Sequence, residues 1–421
     1  MKLPRLRSAA VFKQLGPGLV TGAADDDPSG IATYSQAGAH SGFALLWTMV
    51  LTFPLMVAIQ LIAARIGRVT GHGLAANMGQ VLKRPWVDVL VLLLFTANAI
   101  NIGADLAAMG EAVALIVPHD AQWSTVGLAL LSLGLQLFIP YHRYANLLKW
   151  LTLVLLAYVA VVFSVKIDWR EVAIGLIHPT LPGGKDAIVM IVAIFGTTIS
   201  PYLFFWQSSQ EVEEIEQHDE EHPLREAPRE AAAQFGRIRI DTIAGMAVSN
   251  LIAIAIIIST AATLHASGQT NIETAADAAK ALEPAAGKFA FLLFSLGIVG
   301  TGLLAVPVLA GSAAYAIGEA RGWKCGLENK PWEARGFYAI IGLAVLCGLA
   351  INWFDVDPIK ALVWSAIVNG VIAVPIMVAM MIVAGRRAQM GRFVAHRPLM
   401  ILGWTATGVM AAAVAAMFVF H

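Results

Sequence analysis

Charge is what this chain has least of. Asp, Glu, Lys and Arg make up only 13% of its 421 residues, against 58% hydrophobic residues and a mean hydropathy of +0.71. A soluble domain carries about a quarter charged residues, so the composition excludes one and implies a polytopic membrane protein. Lys plus Arg equals Asp plus Glu at 28 each, and a chain without net charge offers nothing to attract nucleic acid. Cysteine is almost missing. Cys325 and Cys347 have no C-x-x-C spacing, so neither a disulfide framework nor a thiolate metal site is indicated. H-E-x-x-H, G-x-S-x-G and similar constellations are lacking as well, which argues against an integral-membrane enzyme. The basic N-terminus is followed by a long apolar segment without a small-residue cleavage site, so a cleaved signal peptide is not expected.

What is present in quantity is apolar sequence of membrane length. Eleven segments stand out: 15–38, 42–64, 87–116, 122–140, 144–165, 187–208, 238–264, 286–316, 335–353, 357–384 and 398–420. Each is near or above the ~20 residues that cross a bilayer as helix. Basic residues gather in alternate loops: Lys2, Arg5, Arg7 and Lys13 before the first segment, Arg65, Arg68, Lys83 and Arg84 after the second, and Arg386, Arg387, Arg392 and Arg397 after the tenth. The intervening loops Ala39–Gly42, Val117–Ala121 and Phe354–Asp357 have none. The positive-inside rule therefore predicts a cytoplasmic N-terminus, an outer C-terminus and a place in the cytoplasmic or inner membrane.

Two of these segments are interrupted. Asp25-Asp26-Asp27-Pro28-Ser29-Gly30 cuts the first, and Gly196-Thr197-Thr198-Ile199-Ser200-Pro201-Tyr202 cuts the sixth. Proline has no N–H and clashes with the preceding turn, so both helices should unwind there. Unwound backbone at membrane depth survives only where it lines a cavity or site. Segments one and six enter from opposite sides, five helices apart, which is the pattern of an inverted five-helix repeat. The whole of 1–421 then reads as one transporter domain: repeat one over about 15–165, repeat two over about 187–384, and an extra helix over about 398–420. The longest polar stretch, 211–239, is Glu-rich and reads as a solvated extension of segment six plus a linker, with cation sensing as the alternative.

A carboxylate inside a membrane segment is costly enough to mark function. Asp27 abuts the first break, beside freed backbone carbonyls, an oxygen set that hard dications accept. Consecutive helical residues point about 100° apart, so one of the three aspartates should face the site, and Asp27 is the choice over Asp25 and Asp26. The same residue can also cap the second half-helix, and the two roles are compatible.

Gly16-Pro17-Gly18, Asp27-Pro28, Gln60–Gly71 (QLIAARIGRVTG), Asp105-Leu106-Ala107, Leu148-Lys149-Trp150, the segment-six break and Lys360-Ala361-Leu362 together resemble the natural resistance-associated macrophage protein (Nramp) family of divalent-metal transporters. The resemblance covers essentially the whole chain. It implies an all-α polytopic protein with the LeuT-type inverted repeat plus an eleventh helix, helices one and six broken. It also implies import of manganese and iron, usually with protons. The metal site it implies consists of Asp27, Gly30, Ala24, Thr197 and Ser200, the carbonyls of Ala24 and Thr197 pointing into one cavity. Ser29, Pro28, Pro201, Tyr202, Gln207, Asp105, Asn369 and Asn98 surround it or line the pathway. The ion is substrate and no cofactor is implied, nor any obligate protein partner beyond the lipid bilayer.

The departures share a direction. The family's Asp-Pro-Gly-Asn reads Asp27-Pro28-Ser29-Gly30 here, and its Met-Pro-His reads Ser200-Pro201-Tyr202. A second family histidine aligns with Gln207, the partner of Asp105 becomes Ala108, a segment-ten glutamine aligns with Ala366 near Asn369, and segment nine lacks the common arginine. Replacing a soft thioether by oxygen favours Mg2+, Ca2+ or Mn2+. Fewer side-chain ligands suggest a roomier site for an ion that keeps its waters, as Mg2+ does. The pattern resembles a magnesium-transporting branch of the family; an ordinary Mn2+/Fe2+ importer is the alternative. Few titratable groups remain for a proton path. Potential alone gives a dication ~4.6 kcal/mol per 100 mV, roughly a thousandfold accumulation, so uncoupled uptake suffices.

The remaining features read as structural. Gly297, Gly300, Gly302 and Gly311 suggest close helix packing. Asn98 and Asn101 either bridge helices or hydrate the route, Ser312 and Tyr315 line it weakly, and His119, His142 and His178 have no metal-ligand spacing. An amino-acid transporter on the same fold would aim half-helix N-termini at a carboxylate, which Asp27 would repel. A channel would need one continuous pore, whereas two broken helices around a central site suit alternating access.

Overall fold

The computed structural model describes residues 17–117, 119–139, 152–182, 184–218, 221–353 and 357–420. The basic N-terminal residues, Gly16, His142, Leu148-Lys149-Trp150, Glu220 and Phe354 lie outside the described residues. Among those described, every regular element is a helix. Eight helices are long and apolar enough to cross a bilayer. Two shorter apolar helices, Leu153–Ser164 and Arg335–Ile351, and the broken first segment account for the rest of the eleven read from sequence. The chain is an integral, multi-pass membrane protein.

The first segment is two half-helices, α1 (Pro17–Asp25) and α2 (Pro28–Ser41). Then come α3 (Trp47–Thr70), α4 (Arg84–Ala114), α5 (Ala121–Phe138), α6 (Leu156–Ser164) and the short α7 (Trp169–Ile177). The sixth segment splits into α8 (Lys185–Thr198) and α9 (Pro201–Glu216). The chain continues through α10 (Ala231–Thr263), α11 (Ala290–Arg321), α12 (Arg335–Ile351), α13 (Pro358–Gly385) and α14 (Arg397–Phe420).

Both breaks have a local cause. Pro28 and Pro201 open the second halves, where a missing N–H costs nothing. Asp27 leaves helical geometry (φ −69°, ψ 169°) and its carboxylate accepts the Gly30 N–H at 2.7 Å, capping α2. Across the second break the Ser200 hydroxyl turns back onto the carbonyls of Gly196 and Thr197, at 2.8 and 2.7 Å. Proline by itself is not sufficient, since Pro54, Pro307 and Pro375 lie within the unbroken α3, α11 and α13. Those three have apolar neighbours; the breaks fall where Asp, Ser and Thr can serve the freed backbone groups.

The broken helices sit among the others. α1 and α2 lie along α10, α8 along α13, α9 along α3, and α4 along α11, while α14 rests on α3 and α13. Small residues permit the closest crossings. A Cβ at Gly22 would fall 2.4 Å from the Gly245 carbonyl of α10.

At the end of the molecule where α3 terminates, the Glu-rich stretch departs from expectation. It does extend segment six as helix to Glu216, but Glu211 and Glu213 are buried, not solvated. Glu211 pairs with Arg237 of α10 at 2.5 Å, and Glu213 accepts from the Tyr315 hydroxyl and from the Leu327 N–H at 2.7 Å. Arg68, fully buried, pairs with Glu221 at 2.5 Å, and the Leu224 and Arg225 N–H groups reach the carbonyls of Arg68 and Val69. The linker is therefore strapped to α3. Arg237→Ala leaves the Glu211 carboxylate buried and unpaired, so a loss of about 2 kcal/mol is expected, discounted because Arg237 is partly exposed. A lower thermal midpoint of the purified protein would show it; an unchanged midpoint would mean the pair contributes nothing.

Candidate functional site

The site is built where the two breaks meet. Asp27 is 2% exposed, and its Oδ2 receives the Asn101 side-chain N–H of α4 at 3.0 Å and faces the Tyr202 hydroxyl of α9 at 3.4 Å. The same phenol donates to the Ala24 carbonyl at 3.1 Å. Asn101 Nδ2 also lies 3.5 Å from Asp105 Oδ2, so one amide nitrogen stands between two carboxylates. From the other break, the Thr197 hydroxyl approaches Gly30: a Cβ there would fall 3.2 Å from Thr197 Oγ1 and from the Asp25 carbonyl. Every polar partner of Asp27 is thus oxygen or nitrogen.

Not all the expected residues converge. Asp27, Ala24, Tyr202 and Asp105 do, and Gly30 meets Thr197. Ser200 spends its hydroxyl on its own helix. Ser29 donates to the Leu362 carbonyl at 2.9 Å and touches Ser365, fastening α2 to α13. Asn369 of α13 is 2% exposed with its amide oxygen unpartnered. Gln207 lies a turn and a half along α9, accepting from Thr21 of α1 at 2.6 Å. Asn98 takes the bridging option, donating to the Leu309 carbonyl and to Ser312 of α11. At Gly30 a Cβ would be crowded by Thr197 Oγ1 and the Asp25 carbonyl, each at 3.2 Å, so there is no open space next to its Cα on that side.

Two features go beyond the sequence reading. Asn101 is beside Asp27, which its position four residues before Asp105 signals, since that spacing puts both on one face of α4. Asp25 and Asp26 are also buried, 1% and 3% exposed, where they meet Ser249 of α10, while Asp27 meets Asn101 and Tyr202. The helix-packing reading of the α11 glycines fits two of them: Gly302 lies against Met109, and Gly311 against Trp206.

A family model described as natural resistance-associated macrophage protein-like matches residues 18–420. The chain belongs to the Nramp family. Among its relatives, the divalent metal cation transporter MntH of Acidiphilium cryptum is 28% identical over 390 residues, 89% of this chain and 83% of that protein. MntH of Klebsiella pneumoniae is 27% identical over 408 residues, 94% and 91% of the two chains. In three dimensions the chain resembles a manganese transporter of Eremococcus coleocola (TM-score 0.76, 18% identity, covering 98% of this chain and 88% of that one). It also resembles a nucleobase-cation-symport-1 family transporter (TM-score 0.55, 13% identity, 96% and 92%). The fold is the LeuT-type arrangement with helices one and six broken. These Nramp relatives are named as transporters, not enzymes.

A second polar region, a cavity of about 440 Å³ at the α3 C-terminal end, is lined by Glu213, Glu216, Glu319, His72 and Cys325. Burial, then the nearby Glu319 and Glu213, push the Cys325 thiol up to about 12, so without a metal it stays neutral.

Proposed function

We propose that this Nramp protein imports a divalent metal cation by alternating access, taking the ion at Asp27 and carrying Mg2+ in preference to Mn2+ and Fe2+. The observation that carries the reading is the environment of Asp27 between two helix breaks, whose hydrogen-bond partners among the described residues are oxygen and nitrogen groups that favour hard dications. The Ala24 and Thr197 carbonyls, the Tyr202 phenol, Asn101 and Asp105 supply further oxygens. Among the described residues no three His, Cys, Asp or Glu side chains cluster with metal-binding geometry. Few direct protein ligands suit an ion that retains water.

In this reading the N-terminus is cytoplasmic, the C-terminus outside, and the two five-helix repeats rock about the shared site. The membrane potential drives net uptake, because among the described residues no histidine hydrogen-bonds to Asp27 and potential alone gives a dication ~4.6 kcal/mol per 100 mV. The second reading is a proton-coupled Mn2+/Fe2+ importer, and the manganese in the name of the Eremococcus coleocola transporter favours it as to the ion.

Uptake of Mg2+ and Mn2+ into proteoliposomes under an imposed potential, with internal pH recorded, separates the two. The expected result is Mg2+ entry without acidification. Ser200→Met introduces a soft ligand at the step where the family carries methionine, and should move the Mn2+:Mg2+ uptake ratio about tenfold towards manganese, ~1.4 kcal/mol. Exclusion of Mg2+ by the unaltered protein, or acidification matching metal entry, favours the second reading.

A further inference from the structure

Beside the Asp27 site the unwound turn holds two more buried carboxylates that metal binding at Asp27 does not use. Ser249 of α10 is 1% exposed, and its hydroxyl lies 2.7 Å from Asp25 Oδ2 and 3.0 Å from Asp26 Oδ1. A hydroxyl has one hydrogen, so it can satisfy only one of these oxygens at a time. Asp25 Oδ1, in a side chain 1% exposed, has no hydrogen-bond partner. Among the described residues no Lys, Arg or His pairs with Asp25, Asp26, Asp27 or Asp105. Asp25 and Asp26 thus hold several carboxyl oxygens against one shared hydroxyl inside the membrane, where oxygens without partners are costly.

We propose that Asp25, Asp26 and the Ser249 hydroxyl form a second cation site, between the helix-one break and α10, occupied together with the Asp27 site. Its ligands are all hard oxygens, so it takes a hard ion, a second Mg2+ or Na+. The second ion gives the unpartnered Asp25 oxygen a partner and ties the break to α10 while the first is bound. The proposal deepens the transport reading above and rests on it only for the Asp27 site as the neighbour.

Calorimetric titration of the purified full chain in nanodiscs with Mg2+, in N-methylglucamine chloride and again in NaCl, tests it. Two Mg2+ events per chain in both media, one weakened at least tenfold by Asp25→Asn, support a second dication. One Mg2+ event tightened about tenfold by Na+, the Na+ effect vanishing in Asp25→Asn, supports sodium. One Mg2+ event indifferent to Na+ and unchanged in Asp25→Asn overturns the proposal, the carboxylates then carrying protons. Ser249→Ala removes a single hydroxyl and carries the same comparison if Asp25→Asn does not fold. Asp27→Asn should abolish the transport-site event alone. If it leaves uptake intact, the transport reading fails while the second-site measurement stands.

Discussion

Asp27→Asn should reduce Mg2+ or Mn2+ uptake by about 100-fold or more while the protein remains folded. The substitution removes a charge facing the transported ion, and charge-assisted contacts are worth about 1.5–3 kcal/mol even before the low dielectric of the site is considered. A 100-fold loss is ~2.7 kcal/mol, within that range. Folding should survive for specific reasons. The introduced amide oxygen can still accept the Gly30 N–H that caps α2, since Asn caps as well as Asp. Asn101 has an unpartnered side-chain oxygen, so turning its amide over offers an acceptor to the new N–H. Asp27→Ala is the harsher change because it also deletes the cap, at about 1 kcal/mol. Proteoliposome uptake together with elution profile and melting temperature decides the matter. Near-normal uptake by well-folded variant would remove Asp27 from the site.

The largest structural effect is expected from Gly196→Ala. A Cβ at this position would fall 1.9 Å from the Ala366 carbonyl oxygen and 2.5 Å from the Gly370 nitrogen of α13. Both are backbone atoms, so no side chain can swing aside and α8 must lift off α13. Overpacking commonly costs 1–3 kcal/mol, and a clash with two backbone groups should reach about 3 kcal/mol or more. Because α8 carries Thr197 and leads directly into Ser200, the cap of α9, the displacement also spoils the second break. Loss of the monodisperse peak in detergent, or a sharply lower melting temperature, is the expected result. Gly408→Ala on α14 is the control, since nothing lies within 4 Å of its Cβ position, and it should be silent. Equal behaviour of the two variants would disprove the close contact.

Much of this architecture was legible because its causes are local. Apolar runs of bilayer length need only be counted, and Asp27-Pro28 and Ser200-Pro201 break their helices through the missing N–H and the small polar residues beside them. Asp27 could be chosen in advance because a carboxylate at membrane depth is conspicuous on cost alone. Pro54, Pro307 and Pro375 mark the limit of such reasoning: the same residue type passes through a helix when apolar neighbours leave the backbone no other partner.

What only the tertiary structure decided depends on which side chain faces which neighbour. Asn101 and Asn98 are equivalent in sequence, yet one touches Asp27 and the other bridges to α11. Glu211 and Glu213 read as solvated because glutamate usually is, and their burial required Arg237, Tyr315 and the Leu327 N–H from segments far along the chain. The crowding beside Gly30 comes from Thr197 on the other broken helix, which no local pattern announces. Helical periodicity chose one aspartate for the site but said nothing of the other two, whose burial against Ser249 depends on α10. The sequence alone determined that two membrane helices break and that Asp27 stands at one break. Which groups surround that carboxylate was settled by the packing of α4, α9 and α10 around the unwound turn, since those contacts join residues separated by tens to hundreds of positions along the chain.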